Sequence, residues 1–455
     1  MKKANKKLNK LVAGVLALAS IPQAAHAANW LMLQGTEPAG VSAPVSLWGF
    51  IQPTYYSVDA KNLSGLVGPN AAFNGQTPNF NRVGPQLESS NSFNILRARI
   101  GIRGVASPID ERINYFFLTE FGNNGYSRSD DGSSPRIIDG SITFSHIPGA
   151  RVRVGLFKAP GMPEEGLQGI QVFDYINFTN VTQQLIQEQF FTTGPSAVAA
   201  PLAGSTTTGF VGTQQGTINA FRDTGIQVFD SFRNGPWDLG YAAMVGNGSS
   251  LFRTDNNEGK DLYYRLQGYY VLGDSKGPRR DDMGAWIWRQ DGKRTFNGND
   301  YDMVRQGIGF GYRKGYLKPN GMRFTAEYMQ GEGMISAGSP FPGGTPTVYP
   351  GDNNKADGWY VEGGYFLTKN IEFDLRYDKY NRLTNSAADE RQFTTWTLGA
   401  QYHLNPKARL TLNYEFRDLE VPNPGAITAV PARTNANAVA DAMGDRFSAQ
   451  ATLIF

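Results

Sequence analysis

The sequence predicts an all-β fold, a transmembrane antiparallel up-and-down β-barrel of about 16 strands, and three observations carry that expectation. Short segments that alternate apolar and polar residues and end in aromatics recur from residue 45 to the C-terminus. Tight links and long loops rich in Gly, Pro, Asn and Ser separate them by turns, which is the spacing of barrel hairpins. No apolar run reaches the roughly 20 residues that a membrane-crossing helix needs. Hydrocarbon leaves every backbone N–H and C=O to be satisfied within the protein, so a membrane form of this chain must be a closed barrel.

The first 27 residues are set apart as a cleavable secretory signal: Lys2, Lys3, Lys6, Lys7 and Lys10, an apolar stretch from Leu11 to Ile21, then Ala25-His26-Ala27, with cleavage expected after Ala27. That stretch is too short for a membrane anchor. Losing five lysines turns the formal charge from +3 to 3 − 5 = −2, so the basic balance of the full chain belongs to the signal and gives no support for nucleic-acid binding. The chain has no cysteine, hence no disulfide framework and no thiolate metal site, and the ladder of backbone hydrogen bonds must hold it together. Residues 28–44 are too few for a domain, and 45–455 read as one barrel.

In chain order the expected strands are 45–57, 93–105, 112–121, 136–145, 151–158, 222–231, 237–246, 262–272, 283–290, 302–313, 321–330, 358–367, 371–380, 393–404, 408–418 and 446–455. In the fifteenth, Leu410, Leu412, Tyr414 and Phe416 face one way and Arg409, Thr411, Asn413, Glu415 and Arg417 the other. The thirteenth sets Ile371, Phe373, Leu375 and Tyr377 against Glu372, Asp374, Arg376 and Asp378. The ninth is the least regular, because Trp286 and Trp288 share a face and a charged stretch precedes it. Gly307, Gly309 and Gly311 inside the tenth suit tight curvature or close packing. The links Ser107–Asp110, Pro148-Gly149, Asn234–Pro236 and Asn405–Lys407 are expected as periplasmic turns, and the long connections near 59–92, 159–221, 331–357 and 419–445 as outward or inward-folded loops.

The last strand alternates Phe447, Ala449, Ala451, Leu453 and Phe455 with polar residues, and the terminal Phe455 is the expected signal for an outer-membrane barrel-assembly machinery. Trp48, Tyr55, Trp237, Trp359, Trp396 and Tyr402 lie near strand ends, where interfacial girdles sit among membrane lipids.

Trp48-Gly49-Phe50-Ile51-Gln52, Arg97-Ala98-Arg99-Ile100-Gly101 with Gly104, Gly155-Leu156-Phe157-Lys158-Ala159-Pro160 with Glu164, and Arg222-Asp223-Thr224-Gly225-Ile226-Gln227-Val228 together resemble segments of the phosphate-selective porin O and P family. The resemblance covers roughly residues 45–230 and implies a trimeric barrel of 16 strands whose third long loop narrows a pore. That family's phosphate specificity depends on a lysine-rich constriction. Here the loop has no Lys or Arg between Lys158 and Arg222; it carries Glu164, Glu165, Asp174 and Glu188 and a neutral tract from 196 to 220. The expectation is a porin for small hydrophilic solutes or ions, anion-leaning but without phosphate specificity.

On the second strand Arg97, Arg99 and Arg103 share a face opposite Ala98, Ile100 and Ile102. Turning the strand over would put three arginines into lipid at roughly 2–4 kcal/mol each, so they are expected in the lumen. They form either a cationic wall facing an acidic loop, a transverse field that filters charge, or partners of Glu120 and Asp139 that hold the wall in register. Tyr263, Arg265, Gln267 and Tyr269 make a further polar row. Catalysis has little support: beyond the signal only His146 and His403 remain, no serine–histidine arrangement or metal-ligand spacing is visible, and no cofactor is expected. A barrel enzyme and a non-conducting barrel that sheaths a partner are the rival readings.

Overall fold

The computed structural model describes residues 29–33, 43–80, 91–127, 134–188, 198–201, 208–211, 219–249, 251, 258–274, 279–296, 299–337 and 347–455. The segment expected as a signal lies outside the described residues, as does most of the neutral tract at 196–220. Sixteen antiparallel strands close into a single barrel. They are β1 (Ser46–Asp59), β2 (Asn91–Ala106), β3 (Asp110–Glu120), β4 (Arg136–Phe144), β5 (Arg151–Lys158), β6 (Arg222–Asn234), β7 (Trp237–Gly246) and β8 (Asp261–Val271). The ring continues with β9 (Asp282–Phe296), β10 (Asn299–Lys314), β11 (Met322–Glu332), β12 (Lys355–Phe366), β13 (Ile371–Arg382), β14 (Arg391–Asn405), β15 (Ala408–Glu420) and β16 (Asp445–Ile454).

Every strand pairs with its chain neighbour, and β1 pairs with β16 to close the ring, as in Tyr55↔Ala449. Beyond the last strand, Phe455 continues the seam: its N–H donates to the Gly49 carbonyl at 2.9 Å and Gly49 N–H donates back at 3.1 Å. The Phe455 ring covers Gly49 so closely that a Cβ there would stand 2.5 Å from it, which is why this position of β1 takes glycine. Both barrel termini lie on the rim formed by the short links 107–109, 145–150, 235–236 and 406–407.

Alternation separates the two faces. Ile100, Ile226, Leu266, Ile308 and Leu412 are exposed on the outside, whereas Arg97, Gln227, Arg265, Arg305 and Thr411 are buried within. A buried polar face and an exposed apolar one invert the soluble pattern and are what a membrane barrel requires. Trp237, Trp396 and Tyr402 are exposed near strand ends. Trp48 departs from the girdle expected of it: it pairs with Gly101 and turns inward, its ring filling the space a side chain at Gly101 would take and lying beside Phe116.

The ninth strand is longer than its sequence suggested. β9 and β10 have 15 and 16 residues paired without a break from Asp282↔Arg313 to Phe296↔Asn299, against 9 and 8 residues in β4 and β5. Both tryptophans of β9 aim inward. The bare backbone of Gly307 and Gly309 leaves room for them, since a Cβ would come within 2.7 Å of Trp288 and 2.4 Å of Trp286. At the opposite rim Ile335–Ala337, Thr347–Tyr349, Thr208–Val211 and Val198–Pro201 form a four-stranded sheet, and a helix at Val430–Ala442 packs beside β15.

Candidate functional site

The third long connection, which follows β5, runs back into the barrel, and residues 159–188 are buried along almost their whole length. Its backbone polar groups find partners on the facing wall, as they must away from water. Ile176 N–H donates to Asn413 Oδ1 (2.8 Å), Asn180 N–H to Asp378 Oδ1 (2.8 Å) and Glu164 N–H to Glu327 Oε2 (3.1 Å). Glu327 is fully engaged, because Trp286 and Trp288 both donate to it at 2.8 Å and Tyr360 at 2.9 Å. That is the physical role of the inward tryptophans.

Each acidic residue of the loop meets arginine. Glu164 lies 2.5 Å from Arg265 on β8, and Glu188 2.6 Å from Arg294 on β9, which also holds Asp261 at 2.7 Å. Glu165 lies 3.6 Å from Arg376 on β13 and accepts from the Thr179 hydroxyl at 2.6 Å. Asp174 sits among four guanidiniums: Arg279 at 2.6 Å, Arg323 at 3.3 Å, Arg409 at 3.6 Å and Arg313 at 3.9 Å. Arg279 and Arg409 also donate to the carbonyls of Val172 and Phe173, so the loop tip is gripped through backbone and side chain together.

These settings pull the loop carboxyls apart in acidity. Burial raises Glu164 against the opposing pull of Arg265. Burial likewise pushes Glu165 up to about 7, against Arg376 and the hydroxyls of Thr179 and Thr182. At Asp174 burial also acts upward, but Arg279, Arg323, Arg313 and Arg409 together outweigh it and hold the group well below the usual carboxylate range.

The second-strand arginines occupy the lumenal face with other partners. Arg99 pairs with Glu120 at 2.7 Å, Arg97 donates to Gln52 Oε1 at 3.1 Å and lies over the loop residue Phe178, and Arg103 is half-buried near the short-link rim. Asp139 is bound by Arg222 at 2.7 Å. None of the loop acids pairs with the second-strand row; arginines on β8, β9, β10, β11, β13 and β15, with Arg279 between β8 and β9, take that part. Arg279, Arg313, Arg323 and Arg409 were not singled out from sequence. The usable signal was parity, since Arg313, Arg323 and Arg409 fall on lumenal positions near one end of their strands. His403 is buried against Glu372 at 2.9 Å and His146 touches Asp110 at 2.8 Å, and among the described residues no group of acidic or histidine side chains could hold a metal ion.

One occupant of the lumen was not foreseen. Helix α1 (Trp30–Leu33) lies inside the barrel, with Leu31 and Met32 packed among Leu167 of the loop, Phe229 of β6 and Ala242 of β7. A recess remains between α1, the loop and the wall, bordered by Asn29, Trp30, Glu164, Asp174, Arg280, Arg313, Tyr360 and Glu362.

These features are those of an outer-membrane porin fold: a closed ring of 16 antiparallel strands, apolar outside and charged within, crossed by the loop after β5. Solved structures of that class are similar to this chain. The OmpF porin of Salmonella typhi, solved with daunomycin, matches at TM-score 0.53 and 12% identity, covering 90% of this chain and 97% of its own. The channel DcaP of Acinetobacter baumannii matches at 0.50 and 12%, with the same coverage. An anion-selective porin of Comamonas acidovorans matches at 0.50 and 15%, covering 90% of this chain and 99% of its own. At these identities the likeness is one of fold. No protein-family model and no curated protein sequence matches the chain.

Proposed function

We propose that this chain is an outer-membrane porin, a passive diffusion channel for small hydrophilic solutes or ions, exported with a cleaved signal, inserted by the barrel-assembly machinery and working as a homotrimer. The observation that supports it most is the lumen itself. A barrel needs only enough side chains to fill it, yet this one holds charged groups in dense pairs around an inward loop and keeps a polar recess beside them. Among the described residues, neutral oxygens hold buried cations such as Arg97 (Gln52), Arg153 (Thr143), Lys158 (the Gln168 carbonyl) and Arg305 (the carbonyls of Leu185, Gly333 and Met334). Neutral donors hold Glu327 and Asp223 in the same way, and an anion lean is the reading that the reversal potential tests. The lysine-free loop argues against phosphate specificity of the kind the O and P family shows.

The burial of residues 159–188 supports a second reading, a barrel closed to solutes. Reconstitution of the purified protein in planar bilayers separates the two. Stepwise conductance with a reversal potential on the anion side in a salt gradient is expected for the porin. A barrel that inserts without steps both in the wild type and after deletion of residues 29–33 would refute it.

A further inference from the structure

The lumenal wall has a patch that does not fit a water-filled channel. Among the apolar residues that face inward, Phe229 on β6 and Ala242 on β7 are paired neighbours, both buried, and Leu167 of the inward loop completes a patch with them. Bare to water, such a surface is unfavourable by about 25 cal/mol for each Å². Leu31 and Met32 of α1 cover it and are themselves 2% and 6% exposed. The helix is also held at its start. Asn29 accepts from Met32 N–H at 3.1 Å through its side chain, and its Nδ2 stands 3.2 Å from where a Cβ on Gly240 of β7 would be, so the segment lies against β7 there, beside Gln267.

The inward loop, β6 and β7, which follow one another in the chain, thus meet at a single occupant. On its other side, Asn29 and Trp30 border the recess through which a solute would pass, opposite Arg313, Tyr360 and Glu362. The segment therefore takes cross-section from the lumen while contributing no strand to the wall. Residues 29–33 pack through Leu31, Met32 and Trp30 and belong to no strand pair, so they can leave without opening one.

We propose that residues 29–33 are a displaceable stopper, an autoinhibitory segment that seats on Phe229, Ala242 and Leu167 and narrows the lumen from the inside. This rests on the reading of the barrel as a channel. A hydrophobic anchor of two side chains sets the closed state, and release of that anchor widens the path without altering the barrel.

The full-length protein tests this in planar bilayers. L31E/M32E places two carboxylates against the apolar seat and should raise the unitary conductance above that of the wild type; deletion of residues 29–33 should give the same rise and serves if the double variant inserts poorly. Adding N29C/G240C to L31E/M32E, in a chain with no other cysteine, should let oxidation restore the smaller step and a reductant return the larger one. Steps from the variant but none from the wild type would also support the stopper, as complete closure. Equal steps in wild type and variants would overturn the stopper and leave the channel standing. If no form conducts, the channel reading fails, and the yield of the intrachain disulfide still decides the placement of the segment: no crosslink refutes it.

Discussion

The grip on the loop tip can be tested by removing one charge. Asp174→Asn leaves Arg279, Arg313, Arg323 and Arg409 converging on a neutral group, while Arg323 keeps Asp374 at 2.6 Å and Glu372 at 3.0 Å. Removing one partner of a buried ion pair costs about 3–5 kcal/mol. The Asn oxygen and the retained bonds to the carbonyls of Val172 and Phe173 place this case at the low end, about 3 kcal/mol, or roughly a hundredfold change in the ratio of seated to released loop. The strand ladder is untouched, so the variant should insert normally and keep the heat-modifiable migration of a folded barrel on gels. In planar bilayers it should show a larger and noisier unitary conductance, with the reversal potential moved toward anions because a negative charge has left a cationic cluster. A variant that folds and inserts but matches the wild type in both quantities would refute the claim that Asp174 holds the loop in the lumen.

Three further outcomes are expected. Glu165 has its acidity weakened by burial from 4.5 to about 7; because the folded value lies above the unfolded one, its contribution to loop seating, about 3 kcal/mol, is complete below 4.5 and is lost as pH rises through about 7. Conductance noise should therefore grow between those limits in the wild type and stay flat in Glu165→Gln, as read from current traces at stepped pH. Deleting Phe455 removes both backbone bonds to Gly49 and the ring that covers it, and the truncated chain should accumulate in the periplasm as protease-sensitive material; normal insertion would contradict the assembly role. Phosphate at submillimolar concentration should leave chloride current unchanged, and a block would restore the specificity of the O and P family.

The strands were legible because one physical rule acts on each of them separately: lipid outside and charge inside impose a period of two wherever the chain crosses. β13 and β15 show this directly, and even the irregular β9 followed it once its tryptophans are seen to point inward at Glu327 over the glycines of β10. The resting place of the loop after β5 obeys no period. Its route depends on meetings such as Asp174 with Arg409 and Asn177 with Glu415, some 240 residues apart, which carry no local signature. The same holds for α1. Residues 28–44 were expected only to be too few for a domain, and nothing in a four-residue turn reveals that Phe229 and Ala242 lie beside it. Arg97 and Arg99 could be placed on a face by energy, while their partners Gln52 and Glu120 were a matter of register between strands.

The unequal strand lengths give the barrel a lopsided mouth. Above Ile287 and Ile308 the outward side chains of β9 and β10 change to Arg289, Asp291, Lys293 and Asp302, so this hairpin has left the hydrocarbon and stands in water. From Arg289 to Phe296, eight residues joined by seven steps of about 3.4 Å at a tilt near 40° give a screen roughly 18 Å high. The strand wall at β4 and β5 has no such extension. Among the described strands, a molecule approaching the loop end therefore meets the hydrated hairpin of β9 and β10 before it reaches the level of the strand ends at β4 and β5.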